Sequence, residues 1–370
     1  MDEKVVIYPV FVPMIGCPHQ CAFCNQRSIT GKSINNPLMD IKDQVESIMG
    51  TAKMRDGHKE MAFFGGSFTC LSMDMQNTIL ELASPYLEAG LIDGIRISTR
   101  PDYISEEILD NLQDKGVTTI ELGIQSTDPI VLEASERGYR YEQILDSIVN
   151  LMKYDFQVGL QMMTGLPYDT RLKSIKTALD FVAIKPSFVR IYPTLVVRGA
   201  TLEEQFTQGE YSPLSLDDAV EWIRDIKIVF EHHNINVIRI GLQAQEGFNK
   251  GQDLIGGPYH PAFGEMVESS IYRVWMSDII QSLLDYESMA PASPIAFRVH
   301  PSRLSQAIGQ KKYNILYLSK IFPNYKVSIE QNNLVEIGDM AVFTDQTQLL
   351  YSRKSFISQR YEGIVQEMTN

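Results

Sequence analysis

Cysteine is scarce, four in 370 residues, and tryptophan scarcer still at two. So few cysteines exclude a disulfide-stapled scaffold. No apolar run approaches the roughly 18 residues of a membrane span, so no membrane partner is expected. Basic residues are also in deficit, 33 against 46 acidic, for a net charge of -13. Over the whole chain that argues against a coat for nucleic acid or anionic lipid. The start, Met1-Asp2-Glu3-Lys4-Val5, has acid where a signal peptide needs base, and the expected location is cytoplasmic. Hydrophobic residues at 44% and charged residues at 21% exclude a disordered chain. The length predicts a large domain with a small one.

Apolar β-branched runs alternate with amphipathic stretches. Strands are expected at 5–13, 61–65, 94–99, 118–125, 158–165, 188–195 and 235–242. Helices are expected at about 40–50, 74–88, 105–115, 141–154, 170–184 and 215–233. This alternation predicts βαβ units and a parallel sheet. The short, even spacing favours an α/β fold of complete or partial (β/α) barrel type over a doubly wound sheet. Chemistry then belongs at the C-terminal strand ends. A helix is expected over 263–286, followed by Ser288-Met289-Ala290-Pro291-Ala292-Ser293-Pro294, a linker by composition. Beyond it the pattern is strand (295–300), helical (302–322), strand (325–330), strand (334–343). The expected domains are 1–290, the barrel, and 291–370, a small α+β module.

Three cysteines fall together in Cys17-Pro18-His19-Gln20-Cys21-Ala22-Phe23-Cys24, directly after the first strand. Three thiolates on one loop reach three corners of an iron–sulfur cube and leave one iron open. The alternatives are a zinc loop, for which His19 is an awkward fourth ligand, or three free thiols. Cys70 is separate and reads as a small buried hydrophobe or a substrate-side group.

The other strand ends carry polar and glycine-rich segments. Gly65-Gly66-Ser67 is a turn or a close backbone approach to a ligand. Arg96-Ile97-Ser98-Thr99-Arg100-Pro101-Asp102-Tyr103 offers Ser98 and Arg100 as ligand contacts, or Arg100 and Asp102 as a surface ion pair. Gln125 and Gln161 sit on apolar strands, where an amide needs a partner. Arg137 is a bidentate donor or a solvated helix-end arginine. Gly165-Leu166-Pro167 is a turn. Gly256-Gly257-Pro258-Tyr259-His260-Pro261 is a structural turn, or a flap bringing Tyr259 and His260 to substrate.

The cysteine spacing, with an aromatic before the last cysteine, resembles the radical S-adenosylmethionine (SAM) superfamily. Phe64-Gly65-Gly66-Ser67-Phe68, Ser98-Thr99-Arg100-Pro101-Asp102-Tyr103, Gly165-Leu166-Pro167 and Ile191-Tyr192-Pro193-Thr194-Leu195-Val196-Val197-Arg198-Gly199 narrow the likeness to the radical SAM part of the Elongator catalytic subunit, over roughly 5–290. The cysteine loop has a shorter first gap than Elongator, and Elongator's acetyltransferase domain has no counterpart in the roughly 80 residues after 290. Oxygen-independent coproporphyrinogen oxidase is a more distant likeness. The resemblance implies a 4Fe-4S cluster on Cys17, Cys21 and Cys24. It implies SAM chelating the open iron and cleaved to a 5′-deoxyadenosyl radical, and an electron donor of flavodoxin or ferredoxin type. It places Phe23 beside adenine and Gly65 and Gly66 at the SAM amino group, with Ser67 where an acid is usual. It makes Ser98, Arg100, Gln125, Arg137, Gln161 and Gly165 the rest of the SAM environment.

Residues 291–370 hold nine basic and six acidic residues, a net of +3, which leaves -16 on 1–290. Leu304–Ile315 resembles the core of a KH domain, whose GxxG loop clamps single-stranded backbone. Here that loop is Gly309-Gln310-Lys311-Lys312, with Lys312 in place of the second glycine. Lys311 and Lys312 are the expected RNA contacts, or the module only caps the barrel. The function expected is a radical SAM enzyme acting on RNA, most of all tRNA. A small-molecule substrate and a non-catalytic RNA- or metal-binding protein are the rivals.

Overall fold

The computed structural model describes residues 4–13, 17–25, 36–52, 56–242, 253–286 and 292–369. These pack as two compact units. One is 1–214 with 235–258, the other 215–234 with 259–370.

The first unit is built on strands β1 (Val5–Val12), β2 (His58–Gly65), β3 (Gly94–Thr99), β4 (Val117–Gln125), β5 (Gln157–Thr164), β6 (Phe188–Pro193), the two-residue β7 (Val196–Val197), β8 (Val237–Ile240) and β9 (Leu254–Gly256). Seven form one parallel sheet in the order β1-β2-β3-β4-β5-β6-β8. A doubly wound sheet reverses its strand order at a switch point. This one never does, so it curls as a barrel does. Among the described residues β1 and β8 do not pair, and the barrel is partial. β7 and β9 pair separately. The β4 run Val-Thr-Thr-Ile-Glu-Leu-Gly-Ile-Gln is buried at nearly every position, as expected for a strand covered on both faces.

Helices follow the strands. Their starts are set by side chains that cap free N–H groups: Asn36, Ser72, Ser105, Asp128 and Thr170 each accept from the first turn. The expected helix at 74–88 is two, Met73–Glu81 and Ser84–Glu88. Pro85 has no N–H to continue the ladder.

The second unit contains helices Leu216–His232 and Phe263–Tyr286, and a four-stranded sheet ordered β11-β10-β12-β13. Its strands are β10 (Pro294–Val299), β11 (Lys326–Gln331), β12 (Asp339–Phe343) and β13 (Gln348–Ser352). The expected domain boundary near 290 thus falls inside this unit, and most of the Pro-rich linker lies outside the described residues. The strand expected at 334–343 begins only at Asp339, and β13 and the final helix Arg353–Thr369 were not foreseen. The helical stretch after β10 breaks into Leu304–Ile308 and Tyr313–Ile321 around Gly309 (φ +77).

Candidate active site

The cysteine loop leaves the C-terminal end of β1, and its middle cysteine is the best anchored. Cys21 is 5% exposed. Arg137 Nη1 donates to its sulfur at 3.0 Å, and Arg100 Nη1 approaches it at 3.6 Å. Both arginines are buried. Neither is the solvated or surface group that was one reading of each. Arg137 uses its whole fork: Nε donates to the Tyr139 hydroxyl at 3.0 Å and Nη2 to the Gly123 carbonyl at 2.5 Å. Its guanidinium stands 5.8 Å from the Phe23 ring centroid and 5.0 Å from that of Tyr139. Arg100 grips Asp102 with two hydrogen bonds of 2.9 Å and donates to the Arg137 carbonyl. A bidentate buried pair adds little net stability, but it fixes direction.

Asp102 extends this clamp to the loop. His19 Nε2 lies 3.6 Å from its carboxylate and 3.3 Å from the Tyr103 hydroxyl. The imidazole is seated on Gly138, where an added Cβ would stand 2.8 Å from Nδ1. His19 thus faces Asp102, Tyr103 and Gly138, contacts that tie the loop to the β3 end. Backbone bonds complete the anchorage. Ala22 N–H donates to the Ser135 carbonyl, and Leu202 N–H donates to that of Ala22. Phe23 packs on Val196, Leu202 and Tyr211.

Cys17 and Cys24 are half-buried. Cys70, expected to be isolated, stands beside Cys17. Its thiol hydrogen bond, with smaller help from Arg100 and His19, lowers Cys17 to about 6 against the effect of burial. The same bond, together with burial, pushes the Cys70 thiol up. Among the described residues no three His, Cys, Asp or Glu side chains already stand as a metal set. The donor chemistry nevertheless fits an iron–sulfur cluster. There are three thiols on one loop, with Cys70 from the β2 end against the first of them. Two guanidiniums face the negative charge that thiolate-bound iron carries.

At the end of β2, glycine has a reason inside the protein. Gly65 has φ +134, and a Cβ there would lie 2.0 Å from the Val12 carbonyl oxygen. Gly66 N–H points at that same oxygen, 3.4 Å away. Ser67 is buried and bonds the Thr99 hydroxyl at 2.9 Å while accepting from Arg100 N–H at 3.1 Å. Ser98 is half-buried on β3. Gln125 ends β4 with φ +71, at a register shift against β5. Its Oε1 accepts from Gln161 Nε2 at 3.3 Å. The two strand amides, read separately in the sequence, are thus partners.

Gly165 (φ +74) sits in the Gly-Leu-Pro turn, which other residues hold in place. Its N–H donates to Asp169 Oδ2 at 2.9 Å, and its carbonyl accepts from the Tyr211 hydroxyl at 2.6 Å. Burial pushes Asp169 up to about 6, opposed by its bonds from Ser174, Gly165 and Thr170.

Within the barrel lies a charged lattice that no motif announced. Arg96 bonds Glu60 at 2.6 Å and Glu121 at 2.7 Å, and Arg190 bonds Glu121 at 2.7 Å. The signal was present: each is a charge inside an apolar strand, and buried charges must find partners.

In the second unit His260 turns its Nδ1 to the Ala262 N–H at 3.1 Å, capping the start of the long helix. This is the structural-turn reading. Lys311 and Lys312 are exposed in the Gly309–Lys312 turn, both in left-handed conformation (φ +49 and +61). Lys312 takes the backbone shape that a GxxG loop reserves for glycine. No described helix is long and apolar enough to cross a membrane.

The chain is similar to tRNA uridine(34) acetyltransferase of Methanocaldococcus jannaschii, 26% identical over 269 residues, covering 61% of this chain and 49% of that one. It is 32% identical over 191 residues to Elongator complex protein 3 of Homo sapiens, covering 50% and 35%. An uncharacterized protein of M. jannaschii is 29% identical over 235 residues, covering 60% and 71%. The chain therefore spans half or less of the relatives named for tRNA or Elongator. Among solved structures, an N-terminally truncated Elp3 of Methanocaldococcus infernus shares the fold with a TM-score of 0.57 at 20% identity, over 74% of this chain and 64% of that one. Two family models match successive stretches of the chain, "Radical SAM superfamily" over 11–182 and "Radical_SAM C-terminal domain" over 186–273. With the curled parallel sheet and the three-cysteine loop, they make this chain an Elongator-like member of the radical SAM superfamily, a family of enzymes that bind a 4Fe-4S cluster and SAM.

Proposed function

We propose that this enzyme cleaves SAM reductively and applies the resulting radical to RNA, with tRNA as its substrate. The observation that carries the reading is Cys21, whose sulfur is held by two buried arginines on a loop that also presents Cys17 and Cys24. When bound, the cluster and SAM supply a one-electron cleavage that gives methionine and a 5′-deoxyadenosyl radical able to take hydrogen from substrate. The chain binds, orients and excludes water. Cys17, Cys21 and Cys24 hold the iron. Arg100 and Arg137 offset the thiolate charge, and the Asp102–His19 clamp keeps the loop in register. The backbone at Gly65 and Gly66 lies at the β2 end, and Ser98 lies near the end of the neighbouring β3. The paired amides of Gln125 and Gln161 keep N–H and oxygen positions for a ribose or carboxylate. The Gly165 turn and Phe23 border the adenine side.

The RNA substrate is supported by the relatives named for tRNA uridine modification and by the basic module. A flavodoxin- or ferredoxin-type donor supplies the electron. The test is anaerobic reconstitution, expected to give about four irons per chain and dithionite-dependent 5′-deoxyadenosine, both lost in the Cys17→Ala/Cys21→Ala/Cys24→Ala variant. Product formation that survives in that variant overturns the proposal. Comparison of modified tRNA nucleosides from cells with and without the gene tests the substrate.

A further inference from the structure

Residues 288–329 contain six lysines and arginines and no aspartate or glutamate, within a chain of net charge -13. At the centre of this stretch Lys311 and Lys312 stand side by side in strained left-handed backbone. Among the described residues, no ion pair is formed by Lys311, Lys312 or Lys320. The helix that follows, Tyr313–Ile321, presents Tyr313, Leu316, Tyr317 and Lys320 at the spacing of one helical face. Tyr313 is 50% exposed and Leu316 63% exposed. The two tyrosine rings lie 6.4 Å apart and 27° from parallel. Arg273 backs both, its guanidinium 5.2 Å and 5.1 Å from their centroids.

We propose that this face is a platform for single-stranded RNA. Bases stack on Tyr313 and Tyr317 while Lys311, Lys312 and Lys320 take the adjoining phosphates. Aromatic faces next to unpaired cations are what binds a strand without sequence preference, and Arg273 holds the rings at a fixed tilt. A duplex keeps its bases inside and meets only the lysines, so the platform discriminates single strand from double. The assignment of RNA as the partner rests on the proposed function. The stacking geometry does not.

The test is fluorescence anisotropy of the full-length, cluster-loaded protein with a short single-stranded oligoribonucleotide, its duplex, and anionic phospholipid vesicles. The single strand is expected to bind more tightly than the duplex. Tyr313→Ala should weaken binding about tenfold with its salt dependence unchanged, and Tyr313→Phe should bind as wild type. Lys311→Glu/Lys312→Glu should weaken binding and lower the slope of log K against log salt by roughly 1.4. Thermal melting establishes that each variant is folded. Wild-type affinity in both the Tyr313→Ala and the lysine variants overturns the platform. So does vesicle binding as strong as RNA binding and lost in the same variants. Dithionite-dependent 5′-deoxyadenosine is measured in parallel and should be unchanged. Its absence in wild type refutes the enzyme reading and leaves the platform standing.

Discussion

Arg137 offers the sharpest test of how the cysteine loop is held. Arg137→Lys keeps the charge but replaces a fork with a single nitrogen. In wild type the fork serves three acceptors: the Cys21 sulfur, the Gly123 carbonyl and the Tyr139 oxygen. A lysine ammonium reaches one of these along the same path, and two buried acceptors lose a charged donor. At roughly 1.5 kcal/mol each, the loss is about 3 kcal/mol. For a unit of this size that is a fall in Tm of about 6–12 °C. The loop's own contact at Cys21 is one of the three, so cluster loading should fall with stability. Calorimetry of the apo protein and iron analysis after reconstitution read the two effects separately. A variant that melts within about 2 °C of wild type and loads iron fully would refute the claim that the fork carries the loop.

Gly65→Ala should lower stability by about 3 kcal/mol, read by urea unfolding, because the methyl meets the Val12 carbonyl and the backbone sits where alanine is strained. Cys70→Ala should retain the wild-type iron content of about four per chain; loss of iron would make Cys70 a ligand. Asp169 is raised to about 6 in the fold against an ordinary value of 3.8. The folded state therefore binds its proton more tightly than the unfolded state, and its contribution to stability is full below 3.8 and lost as pH rises through 6. Between pH 5 and 7.5 it falls by about 1.4 kcal/mol. Asp169→Asn should flatten that part of the Tm–pH curve. Lys312→Gly should raise Tm by about 2–4 °C by relieving the left-handed backbone.

The sheet was legible because buried parallel strands write themselves as apolar runs of the right length. Strands expected at 118–125 and 188–195 are Val117–Gln125 and Phe188–Pro193 in the fold, and the even spacing of the runs favoured the barrel. The three cysteines were legible because their chemistry is local in sequence. Partners were not. Nothing in the spacing says that Gln125 faces Gln161, or that Asp102 reaches back to His19. The first contact joins paired strands β4 and β5, and the second joins the turn after β3 to the cysteine loop, so neither separation is set by local spacing. β13 was missed because Gln348–Ser352 is an exposed edge of polar and apolar residues without clear alternation. The final helix was missed because its apolar residues are few and its cap is a strand end. For Gly65, read as a turn or a close approach to a ligand, the contact with Val12 of the neighbouring strand could not be seen in the sequence.

The clamp on the cysteine loop also sets an order of events during synthesis. The loop leaves the ribosome near residue 20, but the groups that fix Cys21 are Arg100 and Arg137, 79 and 116 residues later. The bond that seals Ala22 comes from Leu202. A nascent chain therefore carries three cysteines without these anchors until Leu202, 180 residues after Ala22, has been made. At the usual elongation rate of about 5–20 residues per second that is an interval of roughly 10–40 seconds. Through that interval the thiols lack the contacts that fix them in the fold, so the clamp closes on the loop only after β6 has been translated.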